Sequence, residues 1–140
     1  MSADCYTSLF ETPSVETYRR LRVASGMNPK SLEAATRGLP GTLFAVQVLH
    51  NGQPVGMGRV VGDGGCFYQV TDIAVLPEHQ GKGLGKRVMQ GIMGYLQAHA
   101  PPTAYVSLIA DGQAKYLYAQ FGFVPTAPAS IGMFWRAPAR

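Results

Sequence analysis

The chain has 140 residues, 46% of them apolar, with 12 Lys and Arg against 8 Asp and Glu for a formal charge of +4. That length encloses one hydrophobic core rather than two, so a single domain over residues 1–140 is expected, with one site. No uninterrupted apolar run approaches the roughly 18–20 residues that cross a bilayer, and residues 1–10 carry Asp4 without a basic start and apolar stretch, so the reading is no membrane, no leader and a soluble, cytoplasmic chain.

In chain order, Ser14 is placed to cap a helix in which Val15, Tyr18, Leu21 and Arg22 recur at helical spacing until Gly26. After Asn28 and Pro29, residues 31–37 suit a short second helix, broken by Gly38, Pro40 and Gly41. Residues 42–49 are rich in β-formers, Asn51-Gly52 is a strong hairpin turn, and residues 54–61 supply the return strand. Gly62, Asp63, Gly64 and Gly65 make the next turn, and residues 66–75 form a third, longer strand. From Leu84, apolar side chains at Val88, Met89, Ile92, Met93 and Leu96 follow one helix face, with Lys86, Arg87, Gln90 and Gln97 elsewhere. Pro101 and Pro102 end that helix, residues 104–110 form a compact strand, residues 113–121 a short helix stopped by Gly122, and residues 131–136 a last strand. The sum is an α/β (α+β) fold, a mixed, mostly antiparallel central sheet flanked by helices.

Cys5 and Cys66 stand alone, and His50, His79 and His99 show no pair at helical i, i+4 spacing, so no metal, zinc site or redox pair is signalled. Lys82, Lys86 and Arg87 cluster while the other basic residues are dispersed and lack interleaved aromatics, which suits a polyanionic small molecule and argues for no nucleic acid.

The stretch Gln80-Gly81-Lys82-Gly83-Leu84-Gly85-Lys86 joins a β-rich strand to a helix start. Unpaired N–H groups at such a start, the helix dipole and missing Cβ atoms together favour a phosphate, and a pyrophosphate is the natural guest. A Walker A loop is excluded because Gln80 and Arg87 fill its diagnostic positions. The dinucleotide fingerprint fails as well, since the glycines alternate and no acid follows about 20 residues on. Coenzyme A is left as the leading candidate.

Gln80-x-x-Gly83-x-Gly85 after Asp72-Ile73-Ala74-Val75 resembles the acyl-CoA motif of the GNAT superfamily of N-acetyltransferases. Ala114, Leu117, Tyr118, Phe121, Gly122 and Phe123 resemble its second signature, an Ala-x-x-Leu-Tyr-x-x-Phe-Gly-Phe helix ending, and the likeness covers roughly residues 42–136. The resemblance implies transfer of an acetyl group from acetyl-CoA to a primary amine of a small molecule or peptide, by direct attack in a ternary complex. A non-catalytic acyl-CoA-binding sensor is the alternative.

The resemblance also implies roles. Backbone N–H groups near Ile73, Ala74 and Val75 would meet the acyl group and pantetheine if the strand is bulged or splayed. Gln80, Gly81, Lys82, Gly83, Leu84, Gly85 and Lys86 would hold the cofactor, and Tyr118 would protonate the departing thiolate. Asp111 stands seven residues before Tyr118, where many relatives carry a CoA-binding Asn; an ordinary helix N-cap is its other reading. Superfamily members often place a carboxylate or histidine where Gln69 or Thr71 stands; neither serves as an ordinary base, so the amine's proton would leave through water or Asp72. Asp72 is the strand's only carboxylate, between Val70 and Ala74; burial would make it a usable base or an ammonium site, and an ion pair with Arg59 is the other reading. Cys66 reads as a small buried filler rather than an acyl carrier. The acceptor is expected between Met27 and Asn28 and the last strand at Met133, Phe134 and Trp135, whose side chains suit an apolar or aromatic amine. The strand after Pro128 offers an edge that would pair across a homodimer.

Overall fold

The computed structural model describes residues 5–139; residues 1–4, part of the segment considered for a leader, and residue 140 lie outside it. The chain divides into two compact units, Met1–Leu108 and Ile109–Arg140. The first runs through β1 (Tyr6–Leu9), α1 (Val15–Ala24), α2 (Leu32–Gly38), β2 (Phe44–His50), β3 (Gln53–Gly62), β4 (Phe67–Val75), α3 (Leu84–His99) and β5 (Tyr105–Ser107). Its strands form one sheet in sequence order, antiparallel from β1 to β4 and parallel between β4 and β5. The fold is the mixed, mostly antiparallel sheet with flanking helices that the pattern of elements implies.

Local chemistry sets the element ends. The Ser14 hydroxyl accepts from the Thr17 N–H at 3.1 Å, and the Ser31 hydroxyl accepts from the Ala34 N–H at 3.0 Å, so α1 and α2 both start on side-chain caps. Asn51 and Gly52 take φ values of 50° and 84°, the left-handed pair that a two-residue hairpin needs between β2 and β3.

The apolar stripe of α3 (Leu84, Val88, Met89, Ile92 and Leu96) is buried against one face of the sheet. Gly58 in β3 allows the close approach, because a Cβ there would lie 2.5 Å from Val88 Cγ1 and 2.6 Å from Ile73 Cδ1. Successive strand residues face opposite ways, so Arg59 points to the other face, where its guanidinium carbon lies 5.3 Å from the ring centre of Tyr18 in α1.

Three features of this unit depart from the sequence reading. β1 is an edge strand whose four residues show no alternation of apolar and polar side chains, so its pairing with β2 leaves no period-2 signal. β5 is three residues long instead of the seven expected over 104–110, because it pairs with only the first three residues of β4. Cys66 is exposed, as is Cys5; Cys66 precedes β4 at the turn and is not a core filler.

The second unit contains α4 (Ala114–Ala119), shorter at both ends than the expected 113–121. Gly122 at φ 91° ends it, with the Phe123 N–H reaching back to the Tyr118 carbonyl at 3.3 Å. Residues 131–136 form no strand; a strand exists through its ladder, and none is made there among the described residues. Met133, Phe134 and Trp135 are 85%, 84% and 82% exposed.

Candidate active site

The pairing of β3 with β4 passes from Met57 opposite Ala74 to Arg59 opposite Thr71, so Gly58 alone faces both Asp72 and Ile73. This is a β-bulge, and Asp72 sits in it at φ 60°. A left-handed aspartate in a strand needs something to hold it, and four contacts do so. Arg22 Nη1 donates to Asp72 Oδ1 at 2.6 Å, Arg59 Nε donates to Oδ2 at 2.9 Å, and the Tyr18 hydroxyl lies 3.1 Å from both oxygens. Burial, and then the Asp72 carboxylate, push the Tyr18 phenol above its ordinary range, so it stays a donor.

Of the two readings of Asp72, the ion pair with Arg59 is therefore present, with Arg22 as a second cation. A carboxylate whose oxygens are already engaged by two guanidinium groups and a phenol offers no ready lone pair to an incoming ammonium. Arg22 Nε also donates to the Asn28 carbonyl at 2.8 Å, and the Met27 N–H donates to the Arg22 carbonyl at 2.8 Å. The turn after α1 is thus tied through Arg22 to the bulge.

Among the described residues, β4 beyond the bulge has a strand on one side only. Its pairing with β5 ends at Gln69 opposite Ser107, whereas its pairing with β3 continues to Val75 opposite Gly56. The Leu76 N–H points toward β3, donating to the Val55 carbonyl at 2.9 Å, so alternation turns the N–H groups of Ile73 and Val75 to the opposite, open edge. The Ala74 side chain is buried, while those of Ile73 and Val75 are half-buried.

That open edge leads into the glycine turn. After the 3-10 turn Pro77–His79, Gln80 Nε2 donates to the Val75 carbonyl at 3.0 Å, clasping the turn to the end of β4. Gly81 and Gly83 take φ values of 77° and 78°, and a Cβ at either would meet nothing within 4 Å. Conformation, not crowding, calls for glycine at these two positions, and the space above them is open. Gly83 is the N-cap of the 16-residue α3, and the first helical bond runs from the Arg87 N–H to its carbonyl at 3.0 Å. The N–H groups of Leu84, Gly85 and Lys86 consequently have no acceptor within the helix. The Leu84 side chain belongs to the core, so only its backbone is available, while Lys82 and Lys86 are exposed. Open glycines, outward N–H groups and nearby lysines fit a pyrophosphate.

Thr71 is half-buried and Gln69 exposed, and alternation puts both on the Arg59 side of the sheet. On that side a cavity of about 200 Å3 lies between α1, α2 and β3. Met27 is half-buried and Asn28 exposed in the turn already described. In the second unit, Tyr118 is buried; burial, followed by the charge of Asp111, pushes its phenol above the ordinary tyrosine range. Asp111 is not the N-cap of α4: Gln113 holds that position without a side-chain hydrogen bond, and the Asp111 carbonyl accepts from the Ala114 N–H at 3.0 Å.

Sequence reasoning missed Tyr18 and Arg22 as members of the site. Their spacing of four on a helix that buries both was the available signal, since an arginine on a buried stripe needs an anion to meet.

Comparison with known proteins agrees with this geometry. The family profile described as "Acetyltransferase (GNAT) domain" matches residues 41–125, and the chain belongs to that family. A crystal structure of a protein of unknown function from methicillin-resistant Staphylococcus aureus, described as a probable acetyltransferase, superposes with a TM-score of 0.90 at 44% identity, covering 95% of this chain and 100% of the other. A GNAT family acetyltransferase from Streptococcus pneumoniae gives a TM-score of 0.78 at 26% identity, covering 96% and 100%. The chain is 33% identical over 81 residues to "GCN5-related N-acetyltransferase 2, chloroplastic" of Arabidopsis thaliana, a match covering 58% of this chain and 31% of that protein. A match of 33% over 87 residues to "Serotonin N-acetyltransferase 2, chloroplastic" of Oryza sativa covers 61% and 42%. The chain thus spans less than half the length of these two plant relatives.

Proposed function

We propose that this chain is an acetyl-CoA-dependent N-acetyltransferase acting on a primary amine by direct attack within a ternary complex. The observation that carries the reading is the open edge of β4 beyond the Asp72 bulge, continuous with an outward-facing glycine turn at the start of α3. Acetyl-CoA supplies the activated acyl carbon and a thiolate leaving group. The N–H groups of residues 81–86, with Lys82 and Lys86, hold its pyrophosphate, and the N–H groups of Ile73 and Val75 bind the acyl and pantetheine carbonyls, stabilising negative charge on the acyl oxygen.

Tyr118 is assigned as the proton donor to the departing sulfur. Its place in the Ala-x-x-Leu-Tyr helix ending supports this, and its raised pKa keeps the phenol protonated across the neutral range at the cost of some acidity. Asp72 is assigned a positioning role, holding the bulge that turns the Ile73 and Val75 N–H groups outward. With Asp72 engaged and Gln69 and Thr71 unable to act as ordinary bases, the amine's proton leaves through water on that face. The absence of an uncommitted base on β4 is the one observation that favours a non-catalytic acyl-CoA sensor instead.

Calorimetric titration with acetyl-CoA, CoA and ATP tests the donor site: saturable binding of both CoA species in preference to ATP is expected, and binding of neither removes the proposal. Acetylation of any member of a broad amine panel then separates enzyme from sensor. Tyr118→Phe should lower turnover with little change in acetyl-CoA affinity; unchanged turnover takes Tyr118 out of the mechanism.

A further inference from the structure

The cavity between α1, α2 and β3 has Tyr18, Lys30 and Arg59 in its wall, with Ala34, Ala35 and Leu39 as its apolar part. Its charges do not balance. Asp72 is shared between Arg22 and Arg59, and Lys30 adds a third cation. Glu33, on α2 beside the cavity residues, is committed to Arg37 at 2.9 Å. Arg59 is 8% exposed and uses Nε for Asp72 and Nη1 for the Thr42 hydroxyl, which leaves Nη2 without a hydrogen-bond partner among the described residues. Lys30 is held in place through its backbone, its carbonyl accepting from Arg19 Nε at 3.0 Å, while its ammonium makes no ion pair or hydrogen bond among the described residues. A largely buried guanidinium and a nearby ammonium beside small apolar side chains make a site for an anion, since low polarity strengthens the attraction.

We infer that this cavity is a carboxylate subsite for the acceptor, so that the amine acetylated by this chain also carries a carboxylate, seated on Arg59 Nη2 and Lys30 Nζ. The inference rests on the acetyltransferase reading above and narrows its substrate class. Register supports the placement: Arg59 is directly opposite Thr71 and Gly58 faces Ile73, so Arg59 stands one ladder step, roughly 3.4 Å, along the strand from the proposed acyl-binding edge.

Two measurements on the full chain test it. In an NMR titration with glutarate, the Arg59 side-chain Nε–H signal should shift saturably in the wild type, and Lys30→Glu should weaken that binding by roughly tenfold or more. Lys30 is exposed, so the variant should fold. No shift, an equal affinity in the variant, or clearly tighter binding of inorganic phosphate than of glutarate would overturn the subsite. Rates are then compared for matched acceptors, L-glutamate and L-phenylalanine against their α-amides. The acids should be favoured by about tenfold or more, with the preference reduced in Lys30→Glu. If acetyl-CoA binds and the amides react as fast as the acids, the subsite assignment fails while the acetyltransferase reading stands. If glutarate shifts Arg59 but acetyl-CoA does not bind, the anion site stands and it is the acetyltransferase reading that fails.

Discussion

The two faces of the sheet are held by different forces. Under α3 the contact is one of volume, with Val88 and Ile92 lying where any side chain at Gly58 would have to go. Under α1 it is one of charge, a single buried carboxylate on β4 joining an arginine of β3 to an arginine and a tyrosine of α1. The α3 face is a sum of many small contributions and yields by degrees, whereas the α1 face adds to its buried Leu21 and Met57 an ionic cluster that depends on one residue.

Removing that residue is the sharpest way to break the comparison. Asp72→Ala leaves two guanidinium groups buried without their anion and should cost about 3–5 kcal/mol in urea denaturation. A loss as small as that of a typical surface substitution would mean that water already solvates the cluster. On the other face, Gly58→Ala forces α3 off the sheet and should cost about 1–3 kcal/mol, with acetyl-CoA binding weakened because the start of α3 moves with it. A stable variant with unchanged affinity would show that Val88 and Ile73 can yield without displacing the helix. Gly83→Ala touches neither face; at φ 78° it should cost about 1 kcal/mol and reduce acetyl-CoA affinity, and a change in stability alone would take Gly83 out of the donor site.

The smallest effect is a pH dependence. Asp63 Oδ1 accepts from the N–H groups of Gly65, Cys66 and Phe67, and these bonds hold its carboxyl below the usual carboxylate value. Because the folded pKa is depressed, its stabilising contribution is present above the unfolded pKa and is lost as pH falls through the folded one. Thermal melts of the wild type should show a small acid-side loss below about pH 4 that Asp63→Asn flattens. An identical slope in the variant would assign that loss to other carboxylates.

The same contrast explains what the sequence made legible. α3 could be placed from its stripe, the hairpin from Asn51-Gly52, and the donor turn from three glycines at a helix start, since each signal is local. The ionic face joins residues 18, 22, 59 and 72, and no spacing within one element reveals that they meet. Arg59 was a weighed partner for Asp72 because both lie on neighbouring strands; Arg22, though on the stripe of α1, was not, because its helix lies 50 residues away in sequence. The strand expected over 131–136 failed for the complementary reason: Ile131, Met133, Phe134 and Trp135 have the composition of a strand, but composition does not supply a neighbour.

The bulge also sets a count. Residues 56–62 of β3 run alongside residues 68–75 of β4, seven against eight, so the two ends of β4 are out of step with each other by one residue. Deleting Asp72 would restore equal numbers and, with them, an unbroken ladder, with Thr71 still opposite Arg59 on one face and Ile73 still beside Gly58 on the other. The other side chains of β4 would keep their faces, and only the carboxylate between Arg22 and Arg59 would be lost. The extra residue is how an otherwise regular strand finds room for a buried charge, so the chain should be as sensitive to losing that charge as to losing the residue.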